Sequence, residues 1–266
     1  MAEIQVSSWS DFLLAVRESG ADVILPENAV WDMNEISPEG VSSLPEILCT
    51  NIYGNGTEIR GLRTDSNFYS NSHVLENVTN LHFIDFILEG QALFATSNST
   101  RDGYIAFSGC KFSGLCGTQT QGILMPGRGT YGDDYGTIGA ERCSFVVDAQ
   151  VSGWFYTARY LEYSRVHCAV PNGYMLGIAR WSYLRMDQPT TESIPMTIRA
   201  SVLDGQMQNA VTPPTVDTQF ISIFNRDGAP QIEDTAYLKG VTTAQLRDPQ
   251  YLASIGFPIG YDPPEQ

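Results

Sequence analysis

Residues 104–112 read YIAFSGCKF, a nine-place phrase with apolar or small residues at its second, fourth, seventh and ninth places. The phrase returns as TIGAERCSF from Thr137, YLEYSRVHC from Tyr160 and PMTIRASVL from Pro195, and NLHFIDFIL from Asn80 precedes it. From Asn80 onward the starts lie 24, 33, 23 and 35 residues apart. Two intervals sit near two dozen and two carry roughly ten residues more, the mark of a repeat whose turns hold inserted loops. A weaker copy, EILCTNIYG, starts at Glu46.

Alternate places on a strand face opposite sides, and the phase changes between places four and seven. Each phrase therefore predicts two short strands meeting at a corner. Stacked in register, the copies place Phe83 over Phe107, Ala140, Tyr163 and Ile198, and Phe86 over Cys110, Cys143, Val166 and Ser201. No single unit buries its inner face; neighbours complete one core. The competing fold is a β-sandwich of irregular strands.

The 266 residues are 42% hydrophobic with 24 Gly and 14 Pro, a composition of strands and turns rather than of disorder. A formal net charge of −15, with Lys111 and Lys239 as the only lysines, argues against binding nucleic acid or an anionic membrane through a basic surface. No apolar run reaches membrane-spanning length and no basic-then-apolar leader opens the chain, so membrane insertion and Sec export are not expected. Of the five cysteines, Cys49, Cys110, Cys143 and Cys168 fall on inward places and read as core thiols, whereas Cys116 is expected to be exposed. No cysteine pair has CxxC spacing, and His73, His82 and His167 are scattered, so neither metal nor cofactor is expected. The sequons at Asn55, Asn77 and Asn98 carry no meaning without secretion.

Ser10 precedes DFLLAVRESG, where Phe12, Leu13, Val16 and the closing Gly20 fit a short amphipathic helix, and Val23–Leu25 reads as the first strand. Such a helix covers the open end of a strand solenoid. The run SWSDFLLAVRESGADVILPENAVWDM from Ser8, with NIYGNGTEIRGL from Asn51, resembles the opening of right-handed parallel β-helix proteins of the pectin-lyase-like class. The resemblance spans about residues 4–209 and implies a fold rather than a chemistry. After Ala210, VTPPTVD ends the regular coils. GVTTAQLRDPQYLASIGFPIG from Gly240 predicts a short helix ending near Gly256, a C-terminal cap or docking tail with Leu246, Tyr251, Leu252 and Phe257 as its contacts. The chain thus divides into 1–34 (cap helix and first strand), 35–210 (coils), 211–239 (linker and last strands) and 240–266 (tail).

The class that the chain resembles includes polysaccharide lyases, glycoside hydrolases and phage tailspike depolymerases. For hydrolysis the candidate pair is Asp133 and Asp134, although neighbours on a strand point apart and GDDYG is a turn composition. Glu141 and Glu162 occupy the fifth and third places and are not expected to stack. Arg142, Arg165 and Arg199 fall on comparable coils and form the candidate row for holding a carboxylate. The NTD, GHG and RIK phrases of polygalacturonases have no counterpart. Two aromatic-rich segments offer Trp154, Tyr156, Trp181 and Tyr183 to stack on sugar rings or to fill a subunit interface.

The expected fold is all-β: a single-stranded right-handed parallel β-helix of about seven or eight coils, with an N-terminal capping helix and a short C-terminal helical appendage. Resemblance to small β-helix proteins encoded among phage structural genes implies a non-enzymatic virion protein. Its place is the virion surface, as a capsid decoration or tail-associated protein, with a capsid or tail protein as partner and homo-oligomers open to it. A polysaccharide-degrading enzyme and an adhesin for cell-surface glycan are the alternatives.

Overall fold

The computed structural model describes residues 2–70, 75–90, 92–96, 104–117, 122–125, 137–149, 160–168, 177–187, 196–207, 215–228, 230 and 232–257. Its strands form three sheets in which the described pairs are parallel. The first sheet orders Glu3–Gln5, Asp22–Ile24, Asn51–Tyr53, Asn77–Thr79, Tyr104–Ser108, Thr137–Glu141, Tyr160–Glu162, Gly177–Arg180, Met196–Arg199 and Thr215–Val216. The second orders Val30–Asp32, Glu58–Arg60, His82–Leu88, Lys111–Cys116, Ser144–Ala149, Arg165–Cys168, Tyr183–Met186, Val202–Gly205, Ser222–Asn225 and Leu238–Val241, with Arg63–Thr64 paired beside it. Glu46–Ile47, Phe68–Ser70, Ala92–Thr96 and Gly122–Met125 make the third. Neighbours in each sheet are successive passes of the chain. This is compatible with the expected solenoid and unlike the antiparallel sheets of a sandwich.

The bend between the first and second sheets is made by a residue in left-handed backbone, joined at Asn55 by Gly56 at φ 80°. Asn28, Asn55, Asn80, Arg142, Tyr163, Trp181 and Ala200 have φ between 47° and 52°, and Gly109 has 65°. A left-handed L-residue costs about 1–2 kcal/mol, and backbone pairing is what holds it there. The N–H groups of Asn80, Gly109, Arg142, Tyr163 and Trp181 donate to the carbonyls of Ser108, Glu141, Glu162, Arg180 and Arg199 at 2.8–3.1 Å. The parallel ladder therefore continues around the corner.

The next residue on each pass points inward: Leu81, Cys110, Cys143, Ser164, Ser182 and Ser201, all buried. A tight corner has room for a small side chain, and its backbone needs partners. The N–H groups of Cys143, Ser164, Ser182 and Ser201 donate to the hydroxyls of Ser164, Ser182, Ser201 and Ser222 at 3.2–3.3 Å. The Ser164 and Ser201 hydroxyls donate in turn to the carbonyls of Glu162 and Arg199, at 2.8 and 2.9 Å. Two places further on, Phe83, Phe112, Phe145, Val166, Leu184, Leu203 and Phe224 fill the core. Phe83 stacks on Phe112 at 5.8 Å and Phe112 on Phe145 at 5.0 Å, contacts each contributing about 0.5–1.5 kcal/mol beyond burial.

The register expected from the phrases is corrected at several rungs. Phe83 pairs with Phe112, and it is Val78 that pairs with Phe107. Ala140 pairs with Leu161 rather than Tyr163, and Leu161 pairs with Ala179 before Ile198 is reached. The row of Cys110, Cys143 and Ser201 passes through Ser164 and Ser182, whereas Val166 sits in the phenylalanine row. Slipping a strand by two residues leaves every side chain on its own face, so alternation cannot distinguish the two registers. The long interval from Tyr160 to Pro195 is more than a loop insertion: it contains a further pass of the first two sheets, Gly177–Arg180 and Tyr183–Met186. NLHFIDFIL makes no corner of the expected kind: His82–Leu88 is one strand, bulged where Asp85 takes φ 54°.

At the N-terminal end, α1 (Trp9–Ala15) is capped by Ser8 and not by Ser10; the Ser8 hydroxyl accepts the Asp11 N–H at 3.2 Å. Trp9 and Phe12 pack on Trp31 and Phe68, with ring centroids 5.7–6.4 Å apart across the group. A short α2 (Met33–Ile36), capped by Asp32, follows the first strand of the second sheet. At the other end lie α3 (Thr243–Leu246) and α4 (Pro249–Ser254) in place of the single expected helix. The last edge, Leu238–Val241, is blunted by its own chain: the Gly240 N–H donates to Asp234 at 2.9 Å, and the Thr235 N–H to the Leu238 carbonyl at 2.8 Å. Cys116, expected to be exposed, is buried because it faces inward from Lys111–Cys116 between Leu88 and Ala149. Among the described residues no helix is long and apolar enough to cross a membrane.

Candidate functional site

Left-handed backbone turns the corner side chains outward, and on three successive passes these are large: Arg142, Tyr163 and Trp181. The Tyr163 and Trp181 rings stack at 5.1 Å and 6°. Ala200 follows in the row, and its small side chain leaves room beside Trp181 for the Arg199 guanidinium, which lies 5.4 Å from the Trp181 centroid and 4.7 Å from that of Phe220. Tyr163 and Trp181 thus stack, and Arg199 lies over both Trp181 and Phe220. An aromatic stack contributes about 0.5–1.5 kcal/mol and an exposed cation–π contact about 0.5–1 kcal/mol, enough to offset the strain of one corner. Strained backbone clusters at functional sites, and here it is held at the exposed Tyr163 and the half-buried Trp181.

Beside this row the first sheet presents Glu141, Glu162, Arg180 and Arg199 in register. Glu141 and Glu162, expected not to stack, are direct partners, for the same reason of a two-residue slip. Arg180 pairs with Glu162 at 2.6 Å, and Arg199 donates to the Gln219 side-chain carbonyl. Among the described residues Arg199 has no carboxylate partner. Tyr163 is 49% exposed and the Arg142 side chain 72% exposed, so the strip offers an aromatic surface flanked by hydrogen-bonding groups of both signs. The expected row of Arg142, Arg165 and Arg199 does not form. Arg142 is at the corner, Arg165 pairs with Ser144 and Tyr183 in the second sheet, and Arg199 pairs with Arg180 in the first.

A second polar cluster lies on the outer face of the second sheet. His167, Arg185 and Asp204 occupy one register position there. Asp187 bonds the His167 ring at 2.7 Å and Arg185 at 2.8 Å. Burial by itself raises the Asp187 carboxyl, but the bonds from Arg185 and His167 outweigh it and hold it below the usual range. Asp204 is buried, taking the Tyr183 hydroxyl on one oxygen and Asn225 on the other at 2.7 Å. Burial first, then the Asp204 carboxylate, pushes the Tyr183 phenol well up.

Of the aromatic candidates, Trp181 sits in the corner strip while Tyr183, two places on, is turned under the C-terminal helices and buried. Trp154 and Tyr156 lie outside the described residues, as do Asp133, Asp134, His73 and Asn98. Of the tail residues, Leu246, Leu252 and Phe257 are buried with Tyr183, Val202, Ile223 and Val241 of the second sheet, and Tyr251 packs half-buried beside them. Docking through those side chains requires the helices to leave the sheet. Sequence reasoning missed Tyr163, Arg199 and Phe220 as strip members. The signal was present in Asn80 and Gly109, residue types suited to left-handed backbone, which mark the corner place that Tyr163 and Trp181 share.

Compared with known proteins, the chain matches no family model, and no curated protein and no solved structure matches it at significance.

Proposed function

We propose that the chain is a single-stranded right-handed parallel β-helix serving as a non-enzymatic structural protein on the exterior of a phage or phage-like particle, as a capsid decoration or tail-associated protein. The observation that carries this reading is mechanical. Among the described residues the parallel ladder joins successive passes and continues around the corner from Asn80 to Trp181, α1 packs at one end of the stack, and the edge at Leu238–Val241 is blunted. Such a rod is stiff along its axis and keeps its outer faces for contact with other molecules. The acidic surface suits an exterior position, where it resists non-specific adhesion. Density-gradient fractionation of native particles with mass spectrometry tests the reading. Stoichiometric co-banding with DNA-containing particles is expected, and a chain found only free in solution overturns it.

A second reading, glycan binding without turnover, is favoured by the Tyr163–Trp181 stack and its flanking Glu162 and Arg180. Sugar rings stack on exposed aromatics while their hydroxyls bond to mixed acceptors and donors. On this reading Tyr163→Ala and Trp181→Ala abolish retention on glycan arrays with the fold intact; unchanged retention rejects the strip as the site.

A further inference from the structure

The outer face of the second sheet changes character along the stack. One outward row reads His82, Lys111, Ser144 and Arg165, then Tyr183, Val202 and Ile223, and ends at Lys239, with Val241 two places further along that last strand. The apolar half is where α3 and α4 lie, burying Leu246, Leu252 and Phe257 in a cluster separate from the main core. Helices of four and six residues do not persist alone in water, so this seat is what keeps them folded. Polar ties at the near end set their position. Asn225 bonds both Asp204 and the Thr243 hydroxyl, at 2.7 and 3.0 Å, and Asp227 accepts the Thr243 N–H at 2.7 Å.

The joint between strand and helices is a single residue in unstrained backbone. Thr242, the residue linking Val241 to α3, has φ −77° and ψ 163°, extended backbone that any residue adopts.

We propose that residues 242–257 are an exchangeable strap, and that the seat formed by Tyr183, Val202, Ile223 and Val241 takes the same segment from a second copy of this chain. The occupant is argued from the structure: this segment already fits the seat, and a second copy offers it the same Leu246, Leu252 and Phe257 side chains. Exchange of an identical element is a low-cost route to a dimer. In a lone chain the tether gives the strap an effective concentration on the order of millimolar, so closure in cis prevails until chains are crowded together.

The test uses two full-length variants with complementary defects. Ile223→Arg spoils the seat but leaves the strap, and Arg165 shows that the same outward row accepts arginine. Leu252→Asp spoils the strap but leaves the seat. Alone, each is expected to keep a native circular dichroism spectrum and the mass of a monomer. Mixed, they are expected to form a 1:1 heterodimer by light scattering, joined by one sound strap on one sound seat. Absence of a heterodimer at the highest soluble concentration overturns the proposal. Hydrogen exchange on the unaltered chain gives an independent check. Amides from Leu246 to Phe257 are expected to exchange ahead of those at Val202 and Ile223, and equal protection shows that the strap does not open by itself and likewise overturns the proposal.

Discussion

Replacing Ser164 with alanine removes one rung of the buried corner row. In the native chain the Ser164 hydroxyl accepts the Cys143 N–H at 3.2 Å and donates to the carbonyls of Glu162 and Ala140 at 2.8 and 3.3 Å. Water does not reach this place, since Ser164 is 3% exposed. Alanine leaves the Cys143 N–H without that acceptor, and an unsatisfied buried donor costs about 1–3 kcal/mol. The cavity is no larger than an oxygen atom and adds little. We therefore expect Ser164→Ala to destabilise by about 2 kcal/mol, a drop of roughly 4–8 °C in Tm for a chain of this size. Ser164→Cys is the informative control, because Cys110 and Cys143 occupy the same row and their thiols reach the carbonyls of Val78 and Phe107 at 3.4 Å. It is expected to cost less than about 1 kcal/mol, the thiol being a weak donor and acceptor. Urea titration followed by circular dichroism measures both, with an unchanged m-value as the sign that the denatured state is unaffected. If Ser164→Ala is as stable as the parent, or Ser164→Cys is the worse of the two, the hydrogen-bonded corner row is not what stabilises the bend.

Ala200 holds φ 48° while buried, so Ala200→Gly relieves left-handed strain and should raise stability by up to about 1 kcal/mol, read from the shift in Tm. Burial pushes the Cys49 and Cys116 thiols up to about 12, so neither should react with a thiol reagent at pH 8 until the chain is denatured; prompt labelling of the native protein contradicts their placement. The Asp227 carboxyl is held below the ordinary 3.8 by its bonds to Thr243. A depressed carboxylate contributes stability above its unfolded value and loses it as pH falls through the lower folded value, so strap amides should lose protection below pH 3.8 and Asp227→Asn should flatten that dependence.

Much of the corner was legible in the chain because it is a local matter. Alternating apolar places in YIAFSGCKF mark the two strands, and Tyr104–Ser108 and Lys111–Cys116 meet where the phrase changes phase. The helix at Trp9–Ala15 was legible from its apolar spacing, although Ser8 and Ser10 both suit a cap and only Ser8 reaches the Asp11 N–H. The partners of each rung were not legible. Alternation repeats every two residues, so the chain reads equally well with Tyr163 or Leu161 beneath Ala140, and hydrogen bonding across the stack selects Leu161.

The same distinction governs the candidate surfaces. Composition and pattern by themselves determined a strand-rich, acidic chain with repeating inward rows and a helix at each end. Those properties follow from side-chain chemistry and period alone. Only tertiary structure decided that Tyr163, Trp181, Arg199 and Phe220 form one strip, because residues on separate passes become neighbours through register and left-handed corners. It likewise decided that Leu246, Leu252 and Phe257 lie along the flank of the second sheet. Their hydrophobicity required burial, but the partner was set by Tyr183, Val202 and Ile223, outward places that became apolar far earlier in the chain.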